Sequence, residues 1–346
     1  MTSNAISKVS VQPEQSYAID RFRPKDAEGV ARLFRSVYGD SYPVATYVEP
    51  ELLIRENADE RVISSVARTT DGEIVGHNAL FNSAAHPGTY ESGAGVVHQA
   101  HRGGKRIFTD LVAHGLELVK TLPDVNAVFS EPACNHPFSQ KMTIELGFTT
   151  RALEVDLMPA EAYYEDSSAS GRVAAFLDFR TIRQKPHAIY LPHAYRQVLD
   201  FLYADLDDQR DLRLAGTTLP AQRITNLQLH VFDFASVARV VVYTTGLDFQ
   251  ASMTHLEAEL EKKKIMVTQI FLNLAEPWVW QAVETLRHRG YFLGGVLLRW
   301  FDTDGLLMQK TRKAPEWDKI CTHAKRHRQI LALVHEDWQR AIRMNK

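Results

Sequence analysis

Cysteine is nearly absent: Cys134 and Cys321 are the only two in 346 residues. Two thiols so far apart make no disulfide framework and show no metal-ligand spacing, which fits a reducing, cytoplasmic compartment. Long apolar runs are missing too. Nowhere do about 18 apolar residues follow one another, and the start MTSNAISKVSVQPEQS lacks a basic stretch followed by an apolar block, so neither a membrane span nor an export signal is expected. There is no excess of one charge sign: 40 Lys and Arg face 42 Asp and Glu, a formal net charge of -2 that gives no global case for nucleic acid or an anionic membrane as partner. What remains is the make-up of a folded protein, 45% hydrophobic and 24% charged, enough apolar material for a sizeable core. At 346 residues the chain favours two domains over one.

Residues 1–16 are polar and read as a loose arm. Residues 17–22 alternate like a strand, and KDAEGVARLFRSVYG places Ala27, Val30, Ala31, Phe34 and Val37 at helical spacing. VISSVART (62–69) and EIVGHNALF (73–81) flank Asp71-Gly72, a hairpin signal. The strand 92–99 then leads through HRGGKR into the helical IFTDLVAHGLELVK, followed by a strand at 127–132, a helix at 138–148 and strands at 151–159 and 172–180. In the second half, YLPHAYRQVLDFLYADL reads as helical and TTLPAQ as linker. Strand, helix, strand, helix, strand then recur at ARVVVYTTG, ASMTHLEAELEKKK, VTQIFLNL, PWVWQAVETLRHRGYF and GGVLLRWF, before a last amphipathic helix from about Pro315 to Arg343. Both halves follow one order and close a helix on similar residues, ELGF and HRGYF, which implies a tandem pair of related units.

The chemistry concentrates at Val96-Val97-His98-Gln99-Ala100-His101-Arg102-Gly103-Gly104-Lys105-Arg106, between a strand and a helix. Glycines let the backbone turn its amides inward, the helix start presents unpaired N–H groups at the positive end of its dipole, and Arg102, Lys105 and Arg106 add charge. That combination suits a pyrophosphate.

This junction resembles motif A of the GNAT superfamily of N-acetyltransferases, in which a V-x-x-x-x-R-G-x-G-x-G/A turn holds the pyrophosphate of coenzyme A. Arg102 and Gly103 fall on the family's positions, while Lys105 and Ile107 stand where it has its second and third glycines. ACNHPFSQKMTIELGF (133–148) resembles motif B, whose helix ends in L-G-F, and residues 17–180 are similar to a bacterial GNAT subgroup carrying H-P-[FY]-S-Q-K in that helix. Residues 286–310 look like the end of a second such domain. The resemblance implies an α/β fold of two tandem GNAT-like domains, each a mixed, mostly antiparallel twisted sheet flanked by helices: an acyl-CoA-binding domain at 17–183 and a degenerate one with the terminal helix at 184–346. It also implies acetyl-CoA as co-substrate, no metal, and acyl transfer to an amine by direct attack in a ternary complex.

On this reading Arg102, Gly103, Gly104, Lys105 and Arg106 hold the pyrophosphate, Val96, Val97 and His98 offer backbone groups to the pantetheine, and Ser139 lies at the coenzyme as well. An ammonium acceptor must lose a proton before attack, so a base is required. Glu131, at the end of its strand, and Glu91, before the motif A strand, are the candidates, with His98 and His136 at the same edge. The family often places a tyrosine acid four residues before the motif B Gly-Phe; here the position is Thr143, and residues 138–148 contain no tyrosine. Ser139, a water, or an unassisted thiolate would take its place. Alternatives are a non-catalytic acyl-CoA sensor or scaffold and an acyltransferase with another donor. The sequence leaves the acceptor open among a small amine, an antibiotic, a peptide and a protein lysine, with a small-molecule or peptide amine as the expected partner and a homodimer allowed. The second half's counterpart of motif A, TTGLDFQASMTH, has one glycine and no basic residue and is expected to bind no coenzyme. His323 and His327 share a helical face, but Lys325 and Arg326 between them and the lack of an acidic third ligand suggest a solvated basic face rather than a metal site.

Overall fold

A computed structural model describes residues 16–39, 42–103, 106–163, 171–206 and 209–344. The loose arm read at 1–16 therefore lies outside the described residues except for its last position. The chain forms two compact units, one of residues up to Phe81 with Ser92–Thr121, the other of Asn82–Glu91 with the chain from Leu122 onward. The boundary read at 183/184 falls inside the second unit, and the tandem division is taken up below as a proposal.

The first unit contains β1 (Tyr17–Arg21), α1 (Ala27–Tyr38), α2 (Pro50–Ala58), β2 (Val62–Thr69), β3 (Ile74–Asn82, save its last residue), the later part of β4 (Thr89–Val97) and α3 (Ile107–Lys120). β1 and β2 pair antiparallel from Tyr17 opposite Thr69, and β2 and β3 from Val62 opposite Phe81. The apolar stripe of α1 explains its seat: Val30, Ala31 and Phe34 are fully buried, with the Phe34 ring stacked 5.1 Å from that of Tyr47. α3 buries Ile107 and Leu111 against Ala67 of β2 and Val75 of β3, which fixes where its N-terminus emerges.

The second unit holds the opening of β4, then β5 (Ala127–Ser130), α4 (Phe138–Glu145), β6 (Thr149–Pro159), β7 (Arg172–Thr181), β8 (His187–Leu191), α5 (Arg196–Tyr203), β9 (Arg210–Leu214), β10 (Asn226–Phe232), β11 (Val237–Thr244), α6 (Phe249–Lys262), β12 (Val267–Asn273), α7 (Val279–His288), β13 (Phe292–Leu297), β14 (Gly305–Thr311) and α8 (Lys325–Met344). Its sheet runs β4-β5-β7-β6-β13-β14-β12-β11-β10, with β8 and β9 as a separate parallel pair. Within the long sheet only β4 with β5 and β11 with β12 are parallel, so it is mixed and mostly antiparallel, as expected. The region read as helical, YLPHAYRQVLDFLYADL, is helical from His193 to Tyr203, and only its first two residues belong to β8. Pro192 lies between strand and helix, where its lack of an N–H ends pairing. Among the described residues no helix is long and apolar enough to cross a membrane.

Pairing in β11–β14 repeats that in β4–β7. α4 ends at Gly147 (φ 76°) and α7 near Gly290 (φ 85°), and each end closes with the same two bonds, Gly147 N–H to Ile144 O with Phe148 N–H to Thr143 O, and Gly290 N–H to Arg287 O with Tyr291 N–H to Leu286 O. Two residues past Gly147, Thr149 pairs with Phe179, Phe179 with Phe129 and Phe129 with Glu91. Two past Gly290, Phe292 pairs with Gln309, Gln309 with Gln269 and Gln269 with Arg239. The register shifts between Thr150 and Ala152 in one pattern and between Leu293 and Gly295 in the other, the same distance from each glycine. Ala152 and Gly295, the fifth residues on, are partners of one another. Equivalent residues thus meet where the two patterns join, and Glu91 and Arg239 hold equivalent places.

Candidate active site

The sequence-predicted turn lies in the first unit. Val96 is buried at the end of β4 and Val97 is half-exposed. The His98 N–H donates to Val75 O (2.9 Å), and the Arg102 guanidinium donates through Nε to Val97 O (2.9 Å). Of the backbone groups expected to serve pantetheine at Val96–His98, the His98 amide is held by β3 and the Val97 carbonyl by Arg102. Residues 99–101 form a tight 3-10 turn whose start is capped by His98 Nδ1, which accepts from Ala100 N–H. Gly103 follows at φ 79° with open space where a side chain would be, a conformation that suits glycine. Gly104 and Lys105 lie outside the described residues. Arg106 then occupies the N-cap of α3 and provides no side-chain cap, so the helix start offers amides and dipole to an anion.

The second unit gathers the predicted carboxylates with groups the sequence reading missed. Arg239 Nη2 donates to Glu131 Oε1 (2.8 Å) and Glu154 Oε1 (3.0 Å), and its Nε donates to Gln269 Oε1 (2.9 Å). Gln269 Nε2 donates in turn to Glu154 Oε1 (2.8 Å), while Glu154 Oε2 is buried and has no hydrogen-bond partner among the described residues. Glu91 accepts from Ser83 Oγ (2.7 Å). Burial first, then the charge of Glu131, pushes Glu91 up to about 8 against the pull of Ser83 and Arg239. Burial likewise pushes Glu154 up to about 8, Arg239 opposing and Glu131 and Glu91 assisting. Burial also works against the Arg239 charge, and the three carboxylates outweigh it. Glu91 and Glu154, both raised, are linked to one another through the guanidinium they share, so each holds its proton to higher pH than a free carboxylate. A carboxylate tuned toward neutral pH is suited to proton transfer.

Glu154, Arg239 and Gln269 were legible only as polar residues inside apolar strands, in RALEVDLMP, ARVVVYTTG and VTQIFLNL. Full burial of Glu154 and Gln269 is the reason such residues need one another.

The helix read as motif B is α4, opened by Cys134, His136 and Pro137. Thr143, where the family has tyrosine, is fully buried and donates to Asp178 and to Gln140 O (3.1 Å), so its hydroxyl is committed to the core. Burial pushes Asp178 up to about 6, with Thr143 and Thr150 opposing. Ser139 differs: its Oγ is buried with no hydrogen-bond partner among the described residues.

At the head of α6, the counterpart of the α3 turn, the amides are in use. Thr245 N–H donates to Glu276 Oε2 (3.0 Å), Gly246 N–H to Thr225 Oγ1 (3.0 Å) and Leu247 N–H to Arg223 O (3.1 Å). A Cβ on Gly246 would lie 2.3 Å from Thr225 N. The chain's own carboxylate and loop thus fill the place an anion would take. His327, read as part of a solvated face, is fully buried: its ring stacks 4.4 Å from Phe176, its Nδ1 accepts from Ala324 N–H, and burial first lowers it to about 4.

No protein-family model and no curated protein matches this chain. Solved structures do. A GNAT-family acetyltransferase from Desulfovibrio desulfuricans is 18% identical with a TM-score of 0.36, covering 49% of this chain and 100% of its own. A Salmonella typhimurium acetyltransferase solved with acetyl-CoA is 12% identical with a TM-score of 0.40, covering 50% and 97%. The spermidine/spermine N-acetyltransferase of Vibrio cholerae is 14% identical with a TM-score of 0.37, covering 50% and 95%. Each of these three solved structures, one of them described as of the GNAT family, is similar to about half of this chain.

Proposed function

We propose that this protein is an N-acetyltransferase that moves an acetyl group from acetyl-CoA to a small-molecule or peptide amine. The observation that carries the reading is the strand–turn–helix junction of the first unit, in which Gly103 at positive φ and the uncapped start of α3 stand beside Arg102 and Arg106. These residues, with Gly104 and Lys105, are assigned the coenzyme's pyrophosphate. Coenzyme A, when bound, supplies the acetyl group as a thioester. Glu131 is assigned the base, with Glu91 the alternative; the base takes a proton from the acceptor's ammonium, the neutral nitrogen attacks the thioester carbon, the C–N bond forms and the C–S bond breaks. Because Thr143 is bound to Asp178, the surplus proton that the nitrogen sheds on forming the amide is assigned a route to the departing thiolate through the unpartnered Ser139 hydroxyl or a water.

The repeated pairing pattern supports a tandem pair of GNAT-like units, the second without coenzyme because Glu276, Thr225 and Arg223 use its turn amides. The test is calorimetric titration with acetyl-CoA and with free coenzyme A, repeated on Arg102→Ala combined with Lys105→Ala. One equivalent is expected, with affinity falling at least tenfold in the double variant. Absence of binding to the wild type would overturn the reading, and binding of one equivalent without turnover on any amine would favour a coenzyme-binding sensor.

A further inference from the structure

The chain's two cysteines, 187 positions apart, are brought together in the second unit. Cys321 N–H donates to Cys134 O at 2.8 Å. With standard bond lengths on either side, that bond holds the two Cα atoms within about 6.5 Å of each other, inside the range of about 4.4–6.8 Å that disulfides span. Both backbones are anchored there. Cys134 N–H donates to Ala174 O (2.8 Å) in β7. The fully buried Gln140 of α4 donates through Nε2 to Cys321 O (2.9 Å) and accepts from His323 N–H (2.8 Å), clamping the segment on both sides of Cys321. Cys134 is buried and Cys321 half-exposed, so a soluble oxidant meets Cys321 first. Burial pushes the Cys134 thiol up, and Cys321 is among the groups whose charge bears on it.

We propose that Cys134 and Cys321 are an oxidisable thiol pair that closes to a disulfide on exposure to a hydroperoxide. The Cys321 thiolate attacks a peroxide oxygen, the O–O bond breaks, and Cys321 becomes a sulfenic acid. The Cys134 sulfur then attacks the Cys321 sulfur, expelling the hydroxyl, which leaves as water with the Cys134 proton. In total two thiols and one hydrogen peroxide give one disulfide and two waters. The bond would tie the segment that opens α4 to the segment that leads into α8. The inference is independent of the acetyltransferase reading.

The test uses the full chain as purified, exposed to hydrogen peroxide, quenched with N-ethylmaleimide before denaturation and analysed by non-reducing peptide mapping and intact mass. The expected result is a peptide linking Cys134 to Cys321, an intact mass lower by two hydrogens, loss of both titratable thiols, and full reversal by a phosphine reductant. In Cys134→Ser the Cys321 sulfenic acid should persist and be trapped by dimedone, and Cys321→Ser should keep its one thiol unoxidised under the same exposure. Gain of two or three oxygens on Cys321 in the wild type, with Cys134 still reduced, would overturn the proposal. So would linkage only between separate chains.

Discussion

Arg239 is one guanidinium bonded to two carboxylates, with a third close enough to shift with them. Removing it leaves buried negative charge unpaired, which is the expensive way to break such a cluster; Arg239→Met should cost about 3–5 kcal/mol in urea unfolding near pH 8. The change Glu154→Gln keeps the acceptor that Arg239 and Gln269 use and removes a charge. Added to Arg239→Met it should recover about 1–3 kcal/mol, the coupling expected of residues in one network. Strictly additive costs would mean that the two groups do not interact. The sequence singled out Glu131 and Glu91 because they end or precede strands, whereas Glu154 and Arg239 sit within apolar alternation. What identifies those two is the register that brings them together, and register is set by pairing rather than by any local pattern.

Elements were legible where a pattern is self-contained. β2, α1, α3 and β12 fall close to where periodicity puts them, since each carries a complete apolar stripe or run. β10 was missed because its alternation leaves every residue at least partly exposed, and β14 because DTDGLLMQK offers a strand only once β13 and β12 flank it. Two glycines separate local from non-local cost. At Gly147 an added Cβ would touch nothing closer than the Arg180 side chain at 3.9 Å, so Gly147→Ala should cost only the strain of its φ of 76°, about 1 kcal/mol. At Gly295, where β13 meets β6, a Cβ would lie 2.3 Å from Arg151 O and 2.5 Å from Ala152 Cα. Neither backbone atom can move without parting the strands, so Gly295→Ala should cost more than about 3 kcal/mol. Thermal melts of the two variants check this; equal losses would mean that the β6–β13 contact adds little to stability.

For the whole molecule, the recurrence of strand and helix and the two similar helix endings were readable in the sequence, and the pairing of β4–β7 is repeated in β11–β14. What the second pattern does was not readable, because its contribution to the carboxylate cluster depends on Glu91 and Arg239 lying in equivalent places of joined patterns. That arrangement gives stability a pH signature with a definite sign. Burial raises Glu91 and Glu154 above their unfolded values, so their contribution is complete below about pH 4.5 and is lost as pH rises through about 8. Asp304 acts oppositely: burial would raise it, yet Arg210 and His187 hold it well below the usual carboxylate range, so its contribution is lost as pH falls. His77, lowered to about 4 by burial, also weakens the fold in acid. The net curve mixes these signs, and the difference between wild type and Glu154→Gln isolates one of them. Near pH 5.5 Glu154 is protonated in the folded protein and the glutamine mimics it, so the variant's lead should be small, about 1 kcal/mol from ionisation of the unfolded chain, and the rise from pH 5.5 to 8 is the quantity to read. Between pH 5.5 and pH 8 the wild type gives up further stability that the variant keeps, widening the gap by on the order of 2–3 kcal/mol in the variant's favour. A difference that stays flat from pH 5.5 to 8.5 would show that Glu154 is ionised throughout, and that the cluster holds its charge without storing protons.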